Sequence, residues 1–245
     1  MMTAACETEA VLVAHAELSS DVKSAMFALL RAHFDGVDER QFATDLSEKN
    51  WVLLLRREER IVGFTTFAVY ESCFEGETLT VVYSGDTIVA PESWNSTALS
   101  RGWISAVKSF REQNPGQRCV WLLLTSGFRT YRFLPVFWRE FYPSFQSETE
   151  TPGLLGHLAR ERFGEEFLPD VGVVRFNKPQ RLAGALNLVP SGRRRDPHID
   201  FFLTKNPGWV NGDELVCLTE LRDENLTPAG RRMTRSQNEL GLHRD

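Results

Sequence analysis

Residues 79–110 read LTVVYSGDTIVAPESWNSTALSRGWISAVKSF, and this stretch decides the architecture. Its first twelve residues are rich in Val, Ile and Thr, which favour a pleated strand. Pro91 ends that strand, because a proline gives no amide to the ladder. From Ser96 onward, Leu99, Trp103, Ala106, Val107 and Phe110 recur at helical spacing and form one apolar face. A long strand therefore runs straight into the best amphipathic helix of the chain.

Upstream, DVKSAMFALLRAHF (21–34) predicts a helix capped by Asp21, with Val22, Met26, Leu29, Leu30 and Phe34 apolar and Gly36 as its stop. DERQFATDLSEK (38–49) predicts a second, shorter helix that buries Phe42 and Leu46. WVLLLRR (51–57) and RIVGFTTFAVY (60–70) form a hairpin across the charged turn at Glu58 and Glu59, and ESCFEGE links it onward. Downstream, CVWLLLT (119–125) is a continuous apolar run suited to a strand buried on both faces. FRTYRFLPVFWREFYP (128–143) reads as aromatic-rich helix interrupted at Pro135.

Thr151-Pro152 opens a further helix with Leu154, Leu155, Leu158, Ala159 and Phe163 on its buried side. GVVRF, HIDFFLT and ELVCLTEL read as strands, the last two joined by the turn-rich KNPGWVNGD. The expected organisation is a flexible N-terminus (1–20), a core (21–150), an extension packed on it (151–224) and a flexible tail (225–245).

The 245 residues, 42% of them apolar, suffice for a large buried core. A net charge of −5 with interleaved signs gives no electrostatic footprint for a nucleic-acid backbone. No apolar run approaches the roughly 20 residues that span a bilayer, and the acidic MMTAACETEAVLVAHAELSS does not read as a signal peptide. Cys6, Cys73, Cys119 and Cys217 lie far apart without metal-ligand spacing, so a reduced cytoplasmic protein without a metal is expected. There is no G-x-S-x-G elbow, Cys–His signature or P-loop. That leaves direct transfer between two bound substrates as the expected mechanism.

The order helix, helix, strand, strand, strand, helix, strand, helix over residues 21–143 resembles the GCN5-related N-acetyltransferase (GNAT) superfamily. IVGF (61–64) is similar to that family's third strand, and TIVAPESW (87–94) to the end of its fourth. The resemblance implies an α/β (α+β) fold, with a mixed, mostly antiparallel sheet flanked by helices and here a C-terminal helix/strand element added. It also implies acyl transfer from acetyl-CoA, another acyl-CoA or an acyl-carrier-protein thioester to a small-molecule amine. The pantetheine arm would lie between the splayed fourth and fifth strands along Ile88 and Val89. The pyrophosphate would sit on the amides of Asn95, Ser96, Thr97, Ala98 and Leu99, aided by Ser100 and Arg101. The chain departs from the family there, carrying ESWNSTALS where a Q/R-x-x-G-x-G/A loop is usual. That departure keeps two alternatives in view: a non-catalytic module binding an acyl thioester or a protein, and a thioester decarboxylase.

Strand alternation puts Asp86 on one face with Val82, Ser84 and Ile88, where desolvation would raise its pKa toward that of a general base. The alternative is a carboxylate bonded to backbone or arginine. By the resemblance, Tyr131 would protonate the leaving thiolate, with Trp138 and Tyr142 as rivals for that position. His198 and Asp200, on one face of an expected strand, and Trp209, as a wall in a long loop, are candidate acceptor contacts.

Overall fold

The computed structural model describes residues 7–146, 153–193 and 195–234. The helix opening expected at Thr151-Pro152 and the tail beyond residue 234 lie outside them. The strands are β1 (Glu9–Ala14), β2 (Phe34–Asp35), β3 (Trp51–Arg57), β4 (Arg60–Phe74), β5 (Glu77–Val89), β6 (Arg118–Thr125), β7 (Phe167–Leu168), β8 (Val173–Val174), β9 (Arg181–Leu182) and β10 (Glu214–Glu220). The α-helices are α1 (Ser20–His33), α2 (Glu39–Ser47), α3 (Ala98–Gln113), α4 (Phe128–Tyr131), α5 (Phe133–Phe137), α6 (Gly153–Phe163), α7 (Pro197–Lys205) and α8 (Pro228–Thr234).

Eight strands form one sheet in the order β1-β3-β4-β5-β6-β10-β8-β7, while β2 pairs with β9 apart from it. Every neighbour in the large sheet is antiparallel except β5 and β6. Parallel neighbours need a crossover, and α3 supplies it. Its apolar stripe packs Trp103, Val107 and Phe110 on Leu53, Phe67, Val82, Trp121 and Leu123. The Trp103 and Trp121 rings lie 4.1 Å apart and Trp138 stacks 4.9 Å from Trp121, so three large aromatic surfaces leave water together. The opposite face of the sheet is covered by two groups of helices. Helices α1 and α2 cover Val52, Leu54, Phe64 and Ile88, and α6 covers Leu79, Val81, Val120, Leu122 and Val216.

Four local expectations change. The N-terminus is not loose throughout: β1 pairs with β3 from Glu9↔Arg56 to Ala14↔Trp51. Ser19, not Asp21, caps α1 by accepting from the Val22 amide at 3.3 Å. HIDFFLT is helical, because Asp196 caps it (accepting from the His198 amide at 3.0 Å) and Pro197 suits the first turn. Its buried Ile199 and Phe202 then meet helical rather than strand spacing. Finally, residues 225–234 belong to the core. The Asn225 side-chain amide donates to the Glu140 and Glu220 carbonyls and to the Thr219 hydroxyl, and Leu226 is buried.

Candidate functional site

The parallel pairing of β5 and β6 runs from Leu79↔Arg118 to Ser84↔Leu123 and stops. Beyond it β6 continues beside β10, with Thr125 opposite Leu215, while β5 stays with β4. The two strands part and leave a gap between them. At the point of parting β5 bulges, its register against β4 jumping from Thr66↔Gly85 to Phe64↔Ile88. Two threonines pin the bulge: the Thr66 hydroxyl donates to the Gly85 carbonyl at 3.1 Å, and the Thr65 and Thr87 hydroxyls bond at 2.8 Å. Asp86 at its centre has φ 41°, a left-handed backbone that costs an ordinary L-residue roughly 1–2 kcal/mol and that Asp and Asn tolerate best.

The extra residue reverses the strand's alternation. Ser84, whose hydroxyl accepts from the Trp121 indole at 2.8 Å, and Val82 face α3, whereas Ile88 faces α1 and α2. The common face expected for Val82, Ser84, Asp86 and Ile88 therefore does not exist. Asp86 lies in the electrostatic reach of Lys49 and Asp45 from the α2 end, and of Glu214 at the start of β10.

These groups form one buried electrostatic cluster. Burial pushes the Asp86 carboxyl up, Lys49 opposes it, and Asp45 adds to it. Burial, then the Asp86 charge, push Glu214 up to about 7 against a hydrogen bond from Ser126. Burial pulls the Lys49 ammonium down, with Asp86 the main counterweight. That ammonium donates to the Asp45 carbonyl at 3.1 Å and lies 5.2 Å over the Tyr83 ring. Arg162 approaches the same ring to 4.9 Å. Burial, then Glu214 and Asp86, hold the Tyr83 hydroxyl un-ionised. A Cβ on Gly85 would stand 3.4 Å from the Tyr83 Oη and 3.7 Å from the Lys49 Cε, so the hydroxyl and the ammonium stem border the bulge itself. Tyr83, Lys49 and Glu214 were not foreseen as site residues. Glu214 reads in sequence as the polar first residue of a strand, and only the sheet register carries it to the gap.

The opening of α3 is largely self-bonded. The Ser96 hydroxyl accepts from the Ala98 amide at 3.1 Å, and the Ser100 hydroxyl donates to the Thr97 carbonyl at 3.0 Å. The Val89 carbonyl accepts from the Trp94 indole at 2.7 Å. Ile88 and Ala98 are buried in the core, Leu99 is half-buried, and Asn95, Thr97 and Arg101 are exposed. Thr97 makes no side-chain cap.

The other expected site residues lie elsewhere. Tyr131 is fully buried, donates its hydroxyl to the Pro143 carbonyl at 2.8 Å, and packs on Phe201 and Phe202. Burial holds its hydroxyl far above the ordinary range, so it is a structural bond and not a proton donor to the gap. Its rivals fare alike: Trp138 is core, and the Tyr142 backbone bridges to Leu218. The reason is that α4 and α5 fold onto the α3 side of the sheet, while Asp86 faces α2. Trp209 is buried between Phe128 and Phe202. His198, on α7, packs 4.8 Å from Phe145, with burial lowering its pKa. Neither joins Asp86, and the helical α7 removes the shared strand face of His198 and Asp200. Among the described residues no group of three or more His, Cys, Asp or Glu is arranged to hold a metal.

No protein-family profile and no curated protein matches the sequence. Among solved structures the chain is similar to a conserved protein of unknown function from Enterococcus faecalis V583, at 16% identity and TM-score 0.43 over 55% of this chain and 33% of that one. It thus spans a third of that protein's length. It is also similar to a GNAT family N-acetyltransferase from Escherichia coli in complex with CoA, at 20% identity and TM-score 0.38 over 51% of this chain and 67% of that one. A third similarity is to an aminoglycoside acetyltransferase from an uncultured soil metagenomic sample in complex with sisomicin, at 17% identity and TM-score 0.37 over 51% and 82%. The strand order, the single parallel pair joined by α3, and the bulge where that pair parts give this chain a GNAT-like fold.

Proposed function

We propose that the chain transfers an acyl group from a thioester to an amine, with both substrates bound together and no covalent enzyme intermediate. One observation carries the reading: two parallel strands part at a bulge, and two carboxyls held above their ordinary range, Asp86 and Glu214, flank the opening. An open strand edge offers backbone groups to a pantetheine amide, as an edge strand does to any extended chain. A carboxyl poised near neutrality is suited to take a proton from an ammonium group, and a carboxylate pair favours a cationic acceptor.

In this reading Glu214, tuned by Asp86, takes one proton from the bound ammonium. The free amine attacks the thioester carbonyl, whose oxygen is polarised by a backbone amide of the bulge. The C–N bond forms, the C–S bond breaks, and the second nitrogen proton passes to the leaving sulfur, with the Tyr83 hydroxyl as its hydrogen-bond donor. The acyl length and the particular acceptor are open in this scheme. The self-bonded, glycine-free α3 opening favours a second reading, a module that binds an acyl thioester without turning it over. Calorimetric titration with acetyl-CoA and longer acyl-CoAs tests both readings, since each requires a one-to-one complex. Absence of binding for every thioester, including one carried on phosphopantetheine, would overturn them.

A further inference from the structure

Arg129 opens α4 directly after β6, and Trp94 follows β5. The Arg129 guanidinium lies 5.5 Å over the Trp94 ring and 4.7 Å over that of Phe128, and donates to the Leu186 carbonyl at 3.0 Å. The Trp94 indole is itself tied to the Val89 carbonyl. This contact therefore spans the outer ends of the two strands that part at Asp86, and it marks the mouth of the gap. The segment carrying Leu186 leads on to Arg193, whose side chain is exposed. Arg193 is close enough for its charge to lower the Arg129 pKa, adding to burial, and no carboxylate acts on Arg129 in return. Elsewhere on this surface the arginines have acids: Arg132 pairs with Asp196, Arg162 with Glu48 and Arg175 with Asp213.

We propose that Arg129 and Arg193 form the clamp for the phosphate end of a phosphopantetheine-bearing thioester, with the Trp94 ring as its wall. This rests on the acyl-transfer reading, because the thioester must enter the gap for its phosphate to fall at the mouth. Two like charges held together without an acid are relieved by an anion, and guanidinium planes bind phosphate oxygens in pairs. The clamp also answers the missing glycines. The loop before α3 spends the Ser96 and Ser100 hydroxyls on its own backbone, and side chains from the far side of the gap take over the anion. Phosphopantetheine is common to coenzyme A and to a carrier protein, so both sources fit the chemistry.

Calorimetry with coenzyme A, with a serine-phosphopantetheine peptide and with phosphate-free pantetheine tests the clamp in the wild type, Arg193→Ala and Arg129→Ala. Arg193→Ala changes an exposed side chain and leaves the fold intact, which keeps the test valid if Arg129→Ala disturbs the Leu186 segment. The expected result is a loss of about tenfold or more in affinity for the phosphate-bearing probes, the scale of one charge-assisted contact. Pantetheine affinity should stay unchanged, and wild-type coenzyme A binding should weaken with salt more steeply than that of Arg193→Ala. Which phosphate-bearing probe binds more tightly identifies the source. Unchanged affinity for both phosphate-bearing probes in both variants would overturn the clamp and leave acyl transfer standing. An equal loss for pantetheine would also overturn it. A wild type that binds none of the three probes would overturn the clamp and the acyl-transfer reading together.

Discussion

Replacing Glu214 by Gln should stabilise the protein at alkaline pH and do nothing at acid pH. The carboxyl rises from its ordinary 4.5 to about 7 on folding, so its stabilising contribution is fully present below 4.5 and is lost as pH climbs through 7. Holding the ionised form in that buried position costs about 3 kcal/mol. Gln keeps the shape of the protonated acid and never pays that cost. Thermal melts of wild type and Glu214→Gln should therefore coincide near pH 4 and diverge above about pH 7.5. There the variant should melt roughly 6–12 °C higher, at 2–4 °C per kcal/mol for a chain of this size. In an Asp86→Asn background the divergence should shrink but persist, since the Asp86 charge is the second cause of the rise and burial the first. A melting difference that is the same at every pH, or a Gln variant less stable at pH 8, would refute the assignment of Glu214 to a desolvated, carboxylate-flanked pocket.

Three further outcomes follow from particular contacts. Tyr131→Phe removes the hydroxyl bonded to the Pro143 carbonyl and should cost about 1–3 kcal/mol in denaturant melts while leaving kcat unchanged; a collapse of turnover in a folded variant would return Tyr131 to the mechanism. Asn225→Ala abandons the Glu140 and Glu220 carbonyls and the Glu140 amide, so unfolding should be easier by about 2–4 kcal/mol, and a neutral result would show this segment to be dispensable after all. Gly102→Ala drives a Cβ to 2.6 Å from that of Ala10 on β1, and a loss of about 1–3 kcal/mol is expected; an unchanged melting point would mean that α3 does not press on that strand.

The sheet, α3 and the helices over its far face are legible in the sequence, because periodic burial is a local signal. Leu99, Trp103, Val107 and Phe110 declare a helix face without knowledge of what they pack on. What escaped depends on partners distant in the chain. The bulge at Asp86 exists because Thr65 and Thr66 on β4 bond Thr87 and Gly85, and it reverses an alternation that counting residues along β5 cannot correct. Glu214 reaches the gap through the β10–β6 register, and β1 is held as a strand by the apolar run Val52–Leu55 beside it. The α7 helix was legible in principle, since Asp196-Pro197 is a capping sequence, but the apolar residues of IDFFL resembled a strand. Tyr131 and Trp209 failed as site residues for another reason. In a chain with 17 phenylalanines and 6 tryptophans, most rings are core.

The central claim is that Asp86 and Glu214 deprotonate an amine for attack on a thioester held in the gap. Thiol release from acetyl-CoA and longer acyl-CoAs, measured against a panel of primary amines with mass detection of the amide, tests it most directly. The wild type should release thiol only when an amine is present, one amide per thiol, with an acidic limb near pH 7. Asp86→Asn and Glu214→Gln should each fall about a hundredfold or more while remaining folded, the usual scale for loss of a general base. Amine-independent thiol release, or full turnover in both folded variants, would contradict the account.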